Sequence, residues 1–331
     1  MPGKAVLKVD DLHTVFHTPI GTVRAVNGVS FTLEAGRTLG LVGESGCGKS
    51  VMALSLLGLV EPPGRITRGR VRLNGRNLLD LNNEQLRRIR GAEMAMVFQD
   101  PMTSLNPVLT VGRQVSETIV SHQNLSRLEA RDKTLALLAR VGLPNPAKIY
   151  SRFPFQLSGG QRQRVLIAMA LALKPKVLIA DEPTTALDVT VQAQILDELN
   201  RLKSELHTAI VLISHDLGIV AGMADEVAVM YAGSIVEQAP AMEIFESPGH
   251  PYTCALLHSI PRLGGADKLN PVPGQPPDLL ELPGCCAFAP RCPGADRRCR
   301  REKPGLRPLC SGRLVACHYP AALGSSGAVP L

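Results

Sequence analysis

The sequence predicts an α/β fold: a large domain of alternating short strands and helices, followed by a small cysteine-rich appendage. Short apolar runs suited to strands recur between stretches of helical periodicity. A glycine-rich segment joins one such run directly to a helix. Past about residue 260 the texture turns to Pro and Gly, and most of the cysteines fall there. At 331 residues the chain has room for one full-sized core and a smaller unit.

Taken in order, Lys4 to Val9, Val23 to Leu33 and Thr38 to Val42 read as β segments separated by turn residues. A helix is expected from Lys49 to about Leu57. Further strands are expected at Met94 to Phe98, Val177 to Ile179, Ala209 to Ile213 and Val227 to Met230. From Val111 to Leu173 the pattern is helical, broken by Pro144, Pro146 and Pro154, which predicts a helical subdomain over about residues 100–173. Gln192 to Leu206 reads as another helix. The main domain is placed at 1–260, the Pro-rich extension at 261–320, and a disordered tail at 321–331.

The net charge of +7 is concentrated. Between Cys285 and Arg313 there are eight Lys or Arg against two Asp or Glu, so the rest of the chain nearly balances. Six of the eight cysteines fall between Cys285 and Cys317, a clustering that favours a metal site over disulfides in a cytosolic protein. The longest apolar run, Val165 to Leu173, is far short of the roughly 20 residues of a membrane-spanning helix. The N-terminus lacks the apolar core of a signal peptide. The expectation is a chain kept in the cytosol whose membrane association comes through partners.

Gly43-Glu44-Ser45-Gly46-Cys47-Gly48-Lys49-Ser50 follows an apolar strand and opens a helix, the context of a phosphate-binding loop. Its glycines let backbone N–H groups wrap phosphates at the positive end of a helix. Lys49 is expected to reach the β and γ phosphates of ATP, with the Ser50 hydroxyl on Mg²⁺. Cys47 reads as a small spacer. Downstream, an apolar strand ends in Asp181 and Glu182. Asp181 is expected in the Mg²⁺ shell, and Glu182 as the general base that polarises the attacking water.

Leu157-Ser158-Gly159-Gly160-Gln161, followed by Arg162-Gln163-Arg164, offers a hydroxyl and backbone donors at a helix start. Here the chain resembles the ATP-binding cassette (ABC) superfamily, whose signature is this string. The resemblance implies further roles in order along the chain. Gln99 is similar to the Q-loop glutamine that touches Mg²⁺ and senses the membrane partner. Ala186-Leu187-Asp188 resembles the D-loop. His215 is similar to the switch histidine at the γ-phosphate, and Phe16 to the aromatic that stacks on adenine. It also implies a P-loop ATPase core with an antiparallel β subdomain and a helical subdomain. Each hydrolysis site is then shared between two cassettes, with Ser158 to Gln161 closing the partner's site.

Two longer strings, Met96 to Pro107 and Ala180 to Ile195, resemble the ATPase subunits of bacterial dipeptide, oligopeptide and nickel importers. The Met102-Thr103 version resembles the D-type half of a D/F heterodimer, and the extension resembles that of the peptide importers. The likeness spans about residues 5 to 320. It implies two integral permeases, a second F-type ATPase, an extracytoplasmic peptide-binding protein and a station on the cytoplasmic face of the membrane. A permease helix is expected to contact the groove at Gln99 to Pro107. The cargo remains open between peptides and nickel or another small solute. A nucleic-acid-processing ABC ATPase is the rival class, and its inserted zinc modules and long heptad arms do not appear; no nucleic-acid partner is expected.

Cys285, Cys292, Cys299 and Cys317 form a four-thiolate set able to hold Zn²⁺ or an iron–sulfur cluster. By resemblance to the peptide-importer extension they match a [4Fe–4S] site. Its net negative charge would be offset by Arg291, Arg297, Arg298 and Arg300. Cys286 and Cys310 are alternative ligands.

Overall fold

The computed structural model describes residues 5–185, 187–259, 272–280, 282–310 and 312–321. The chain begins with two long strands, β1 (Ala5–Thr18) and β2 (Gly21–Glu34), and then β3 (Thr38–Val42). β1 and β2 alternate buried and exposed positions, as strands with one wet face do, whereas β3 is buried throughout. Helix α1 (Lys49–Leu56) follows the glycine-rich loop. β4 (Gly64–Leu73) and β5 (Arg76–Asn77) come next, then α2 (Asn83–Ile89), opened by a reciprocal Asn82–Gln85 capping box.

β6 (Met94–Val97) leads into helices: α3 (Pro101–Ser104), α4 (Val111–Val120), α5 (Arg127–Arg140), α6 (Pro146–Tyr150) and α7 (Gly159–Leu171). Pro146 does not break a helix but sits in the first turn of α6. β7 (Val177–Asp181), α8 (Val189–Leu206), β8 (Ala209–Ile213), α9 (Leu217–Met223), β9 (Glu226–Tyr231) and β10 (Ser234–Pro240) restore the alternation. α10 (Ala241–Glu246), α11 (Pro251–His258), β11 (Arg307–Cys310) and β12 (Arg313–Val315) complete the order.

These elements group into two compact units. One gathers residues 80–213 with short pieces near the N-terminus. In it β6, β7 and β8 lie parallel, with Met94 opposite Val177 and Val177 opposite Ala209. β7 and β8 are buried along their whole length, which is why they read as unbroken apolar runs. The helices α3 to α8 belong to this unit.

The other unit gathers residues 8–32, 38–79 and the described residues from 214 onward. One of its sheets runs β2-β1-β4-β5. In the other, β3 pairs parallel with β9, β9 antiparallel with β10, β10 with β12 and β12 with β11. The core between this sheet and the C-terminal segment includes Val229, Tyr231, Tyr252 and Phe288. The rings of Tyr231, Tyr252 and Phe288 lie 4.5–5.4 Å apart, tilted or edge-on to one another.

The extension is thus bound into the sheet: Val315 of β12 pairs with Glu237 of β10. Beneath that pairing lies a buried ion pair, Arg313 to Glu237 at 2.8 Å, with both side chains at most 1% exposed. Glu237 also accepts from the backbone N–H groups of Gly249 (2.6 Å) and His250 (2.9 Å), and Arg313 donates to the Ser247 carbonyl. The backbone groups satisfy much of the pair's remaining hydrogen-bonding capacity, which limits the cost of burying it, while Arg313 Nε has no partner among the described residues. His250 caps α11 by accepting from Tyr252 N–H, and burial pushes its imidazole down to about 4, so it is neutral at pH 7.

β10 was not expected, because its Glu237 and Gln238 look solvent-seeking and the former is buriable through Arg313 and the backbone N–H groups of Gly249 and His250. The boundary placed near residue 260 and the tail beyond Ala321 lie outside the described residues, as does Lys4.

Candidate functional site

The glycine-rich loop joins the end of β3 to α1 and is held by backbone. Gly43 has φ +154° and Gly48 φ +103°; a Cβ at Gly43 would run into the Met230 carbonyl, and one at Gly48 into the Ala25 carbonyl. Only glycine fits both positions, on conformation and on space. The Cys47 carbonyl accepts from Gly233 N–H at 3.0 Å, fixing the loop to the turn between β9 and β10. Lys49 is buried and arches back over the loop, its Nζ donating to the carbonyls of Gly43 (2.8 Å) and Glu44 (3.0 Å). Ser45, Gly46 and Ser50 are exposed, so the outer rim and the hydroxyl that opens α1 face solvent. Cys47 is buried, which pushes its thiol up despite Lys49, in keeping with a spacer.

Phe16, on β1, is half-buried with its ring against Gly64, whose missing side chain leaves it room. His215 is exposed just beyond β8, between Ser214, whose N–H reaches the Leu41 carbonyl, and Asp216, which caps α9. These residues all belong to the unit that carries the loop.

The second group belongs to the other unit. Asp181 ends β7 and is buried, and Glu182 follows with a left-handed φ of +48°. That strained backbone directs the Glu182 carboxylate to Gln99 Nε2 at 2.8 Å and to Thr185 Oγ1 at 2.9 Å. The structure therefore brings together Gln99 and Glu182, placed 83 residues apart in the chain. Ser158 caps α7, accepting from Gln161 N–H at 3.3 Å while Gln161 Oε1 accepts from Ser158 N–H at 3.2 Å. The two glycines have a further purpose: a Cβ on Gly160 would stand 2.5 Å from Val191 Cγ1, and one on Gly159 would stand 3.3 Å from Leu187 Cδ2. They let α7 start against α8. Asp188 is exposed and caps α8, accepting from Val191 N–H at 2.9 Å; Ala186 lies outside the described residues. On the stretch Gln99 to Pro107, Met102 is 62% exposed and receives Arg162 from the start of α7 at its sulfur.

The cysteines divide differently from expectation. Cys286, Cys292, Cys299 and Cys317 of the extension line one cavity of about 150 Å³, together with Cys254 of α11 and beside His250 and Phe288. Burial first, then the other thiols, pushes up Cys286, Cys292 and Cys317, the last to about 11; burial likewise raises Cys299. Cys285 is not in this set. Cys286 N–H donates to the Cys299 carbonyl and its own carbonyl accepts from Ala289 N–H, and that turn directs residue 286 into the cavity. Adjacent cysteines look alike by spacing, so nothing local in the sequence separates them. The four-thiol chemistry fits a metal. Yet among the described residues no three His, Cys, Asp or Glu side chains are gathered closely enough to hold one as they stand. Arg291 and Arg298 do not attend the thiols: Arg291 is bound to Glu44, and Arg298 pairs with Glu302 at 2.9 Å.

Comparison with known proteins agrees with this geometry. Residues 26–185 match the family described as ABC transporter, and residues 236–299 match the oligopeptide/dipeptide transporter C-terminal region. The chain is 50% identical over 321 residues to the oligopeptide transport ATP-binding protein OppD of Salmonella typhimurium, covering 96% of this chain and 95% of that protein. It is 49% identical over 315 residues to the dipeptide transport ATP-binding protein DppD of Bacillus subtilis, with 94% of each covered. The dimeric ATP-binding cassette MJ0796 bound to ADP and phosphate superposes with a TM-score of 0.65 at 27% identity, covering 71% of this chain and 98% of that one.

The contact of α7 with α8 yields a direct test. Gly160→Ala is expected to lower stability by about 1–3 kcal/mol, as overpacking does. Gly159→Ala should cost less, because a leucine tip can move aside. Adding Val191→Ala to Gly160→Ala should restore most of the loss in a thermal melt; no recovery would mean the glycine is there for another reason.

Proposed function

The chain belongs to the ABC transporter family, among its oligopeptide and dipeptide transport ATP-binding proteins, and on that premise we propose that it hydrolyses ATP to power peptide import. The observation that carries the cargo is the match of the C-terminal region, since the cassette by itself speaks only for ATP hydrolysis. That match favours peptides over nickel or another small solute.

The loop residues Gly43 to Ser50 take the phosphates: backbone N–H groups at the rim donate to phosphate oxygens, and Lys49 exchanges its loop carbonyls for the β and γ phosphates. Mg²⁺ supplies charge neutralisation on the phosphates; Ser50, Asp181 and Gln99 would hold it. Glu182 accepts a proton from the attacking water, and its bonds to Gln99 and Thr185 hold the carboxylate in place until then. Through Gln99 the same carboxylate is joined to the Gln99–Pro107 stretch, a route by which a membrane partner would gate hydrolysis. His215 orients the water at the γ-phosphate, and Phe16 stacks on adenine. Ser158 to Gln161 and Asp188 face the second cassette. Closing on its nucleotide would exchange the Ser158–Gln161 capping bonds for phosphate contacts.

The working assembly is a heterodimer with an F-type ATPase beneath two integral permeases, supplied by an extracytoplasmic binding protein. Among the described residues no helix is long and apolar enough to cross a membrane. Peripheral attachment at the cytoplasmic face through the permeases follows from that assembly.

The cysteine cavity is proposed to hold a [4Fe–4S] cluster, with Zn²⁺ as the alternative, through Cys286, Cys292, Cys299 and Cys317. Such a group would supply a cross-link between the segment at 286–299 and β12's end, where this region has little apolar core.

Two outcomes are expected. In the reconstituted importer, Glu182→Gln should retain ATP binding while turnover falls about 100-fold or more, the scale of general-base loss; undiminished hydrolysis would reject Glu182 as the base. Anaerobically purified protein should carry iron and a visible thiolate-to-iron absorbance that disappears in Cys286→Ser and Cys292→Ser and survives in Cys285→Ser. Stoichiometric zinc without iron would refute the cluster.

A further inference from the structure

An acidic residue inside a phosphate-binding loop is an electrostatic liability, because it sets a carboxylate beside a triphosphate. Glu44 is that residue, and the structure meets the problem from the far end of the chain. Arg291 grips it in bidentate fashion, Nη1 to Oε2 at 2.6 Å and Nη2 to Oε1 at 2.8 Å. The guanidinium side chain is 3% exposed. Its other donors are also committed: Nε to the Pro273 carbonyl at 2.6 Å, Nη2 to the Val272 carbonyl at 3.1 Å and Nη1 to Tyr231 Oη at 3.4 Å. All five N–H groups of the fork are therefore used, and the guanidinium lies over the rings of Tyr231 and Phe288.

Glu44 is held at its backbone as well. Its N–H donates to Tyr252 Oη at 2.9 Å, and Tyr252 packs on the same Tyr231 and Phe288. Residue 44 is thereby fixed at two points by side chains from α11 and the extension. The neighbouring loop carbonyls, of Gly43 and Glu44, are the ones that Lys49 reaches.

We propose that Arg291 is a positioning residue for the ATP site: acting through Glu44, it neutralises the carboxylate, turns it from the phosphates and sets the shape of the loop. This rests on the reading of that loop as the nucleotide site. It makes the cysteine-rich extension a structural determinant of nucleotide affinity, since Arg291 directly precedes Cys292 of the thiol cavity and follows Phe288 on its wall.

The test uses the full chain, a fluorescent MgATP analogue and a double-mutant cycle. Glu44→Gln and Arg291→Lys should each weaken binding about tenfold, because each breaks a buried bidentate charge pair. The double variant should be no weaker than the weaker single one, because the two residues act as one device. Glu44→Gln keeps an amide oxygen that can accept from Arg291 and leaves the backbone bonds of Arg291 in place; its melt is recorded beside the titration and affinity is compared well below the melting temperature, so a loss of affinity there is not a loss of fold. Wild-type affinity in Glu44→Gln, or effects that multiply in the double variant, would overturn the proposal. Failure of the wild-type chain itself to bind the analogue would instead overturn the assignment of the loop.

Discussion

Two backbone carbonyls occupy the space where side chains would be on Gly43 and Gly48, and much of the unit is arranged around that close approach. The Met230 carbonyl belongs to β9 and the Ala25 carbonyl to β2, so the loop is wedged between two strands remote in sequence. Any side chain at either glycine would move the loop off the strands and with it the start of α1. Lys49 can arch over the loop only because the loop is held this tightly. The positive φ values are thus the local cost of a cradle whose exposed rim donates backbone N–H groups.

The C-terminal region belongs to the same arrangement. A small Pro- and Gly-rich segment cannot bury enough apolar surface to stand alone. Here it adds a strand to the sheet, places Phe288 against Tyr231 and Tyr252, and closes a buried ion pair between Glu237 and Arg313. Removing one member of that pair would strand a charge in the core, at a cost of about 3–5 kcal/mol. The concentrated basicity of the region is partly explained by this: Arg291 and Arg313 each answer a carboxylate on the main chain's side of the unit, Glu44 and Glu237. The charges that looked like counterions for a metal group are in part structural ties.

Local chemistry was legible in the sequence wherever neighbouring residues determine it. The strand–loop–helix of Gly43 to Ser50, the buried runs Thr38 to Val42 and Ala209 to Ile213, and the acidic end of β7 could all be read from pattern. The helix starts at Ser158 and Asp188 carry their capping residues openly. What escaped depends on partners far along the chain. β10 buries its glutamate against Arg313; Gly160 is small because Val191 is there; Glu44 is tolerated because Arg291 lies 247 residues away. Cys286 rather than Cys285 lines the cavity through a turn held by backbone bonds to Cys299 and Ala289, which spacing does not encode.

The central claim, that this loop is the seat of ATP, is tested most directly by equilibrium binding of MgATP to the wild-type chain and to Lys49→Ala. Among the described residues the Lys49 ammonium is bonded to loop atoms that it can exchange for phosphate, so the variant should melt near wild type. Its affinity should fall by about 10–100-fold, the worth of hydrogen bonds between charged groups. Equal affinity in the two proteins would place the nucleotide elsewhere and contradict the account.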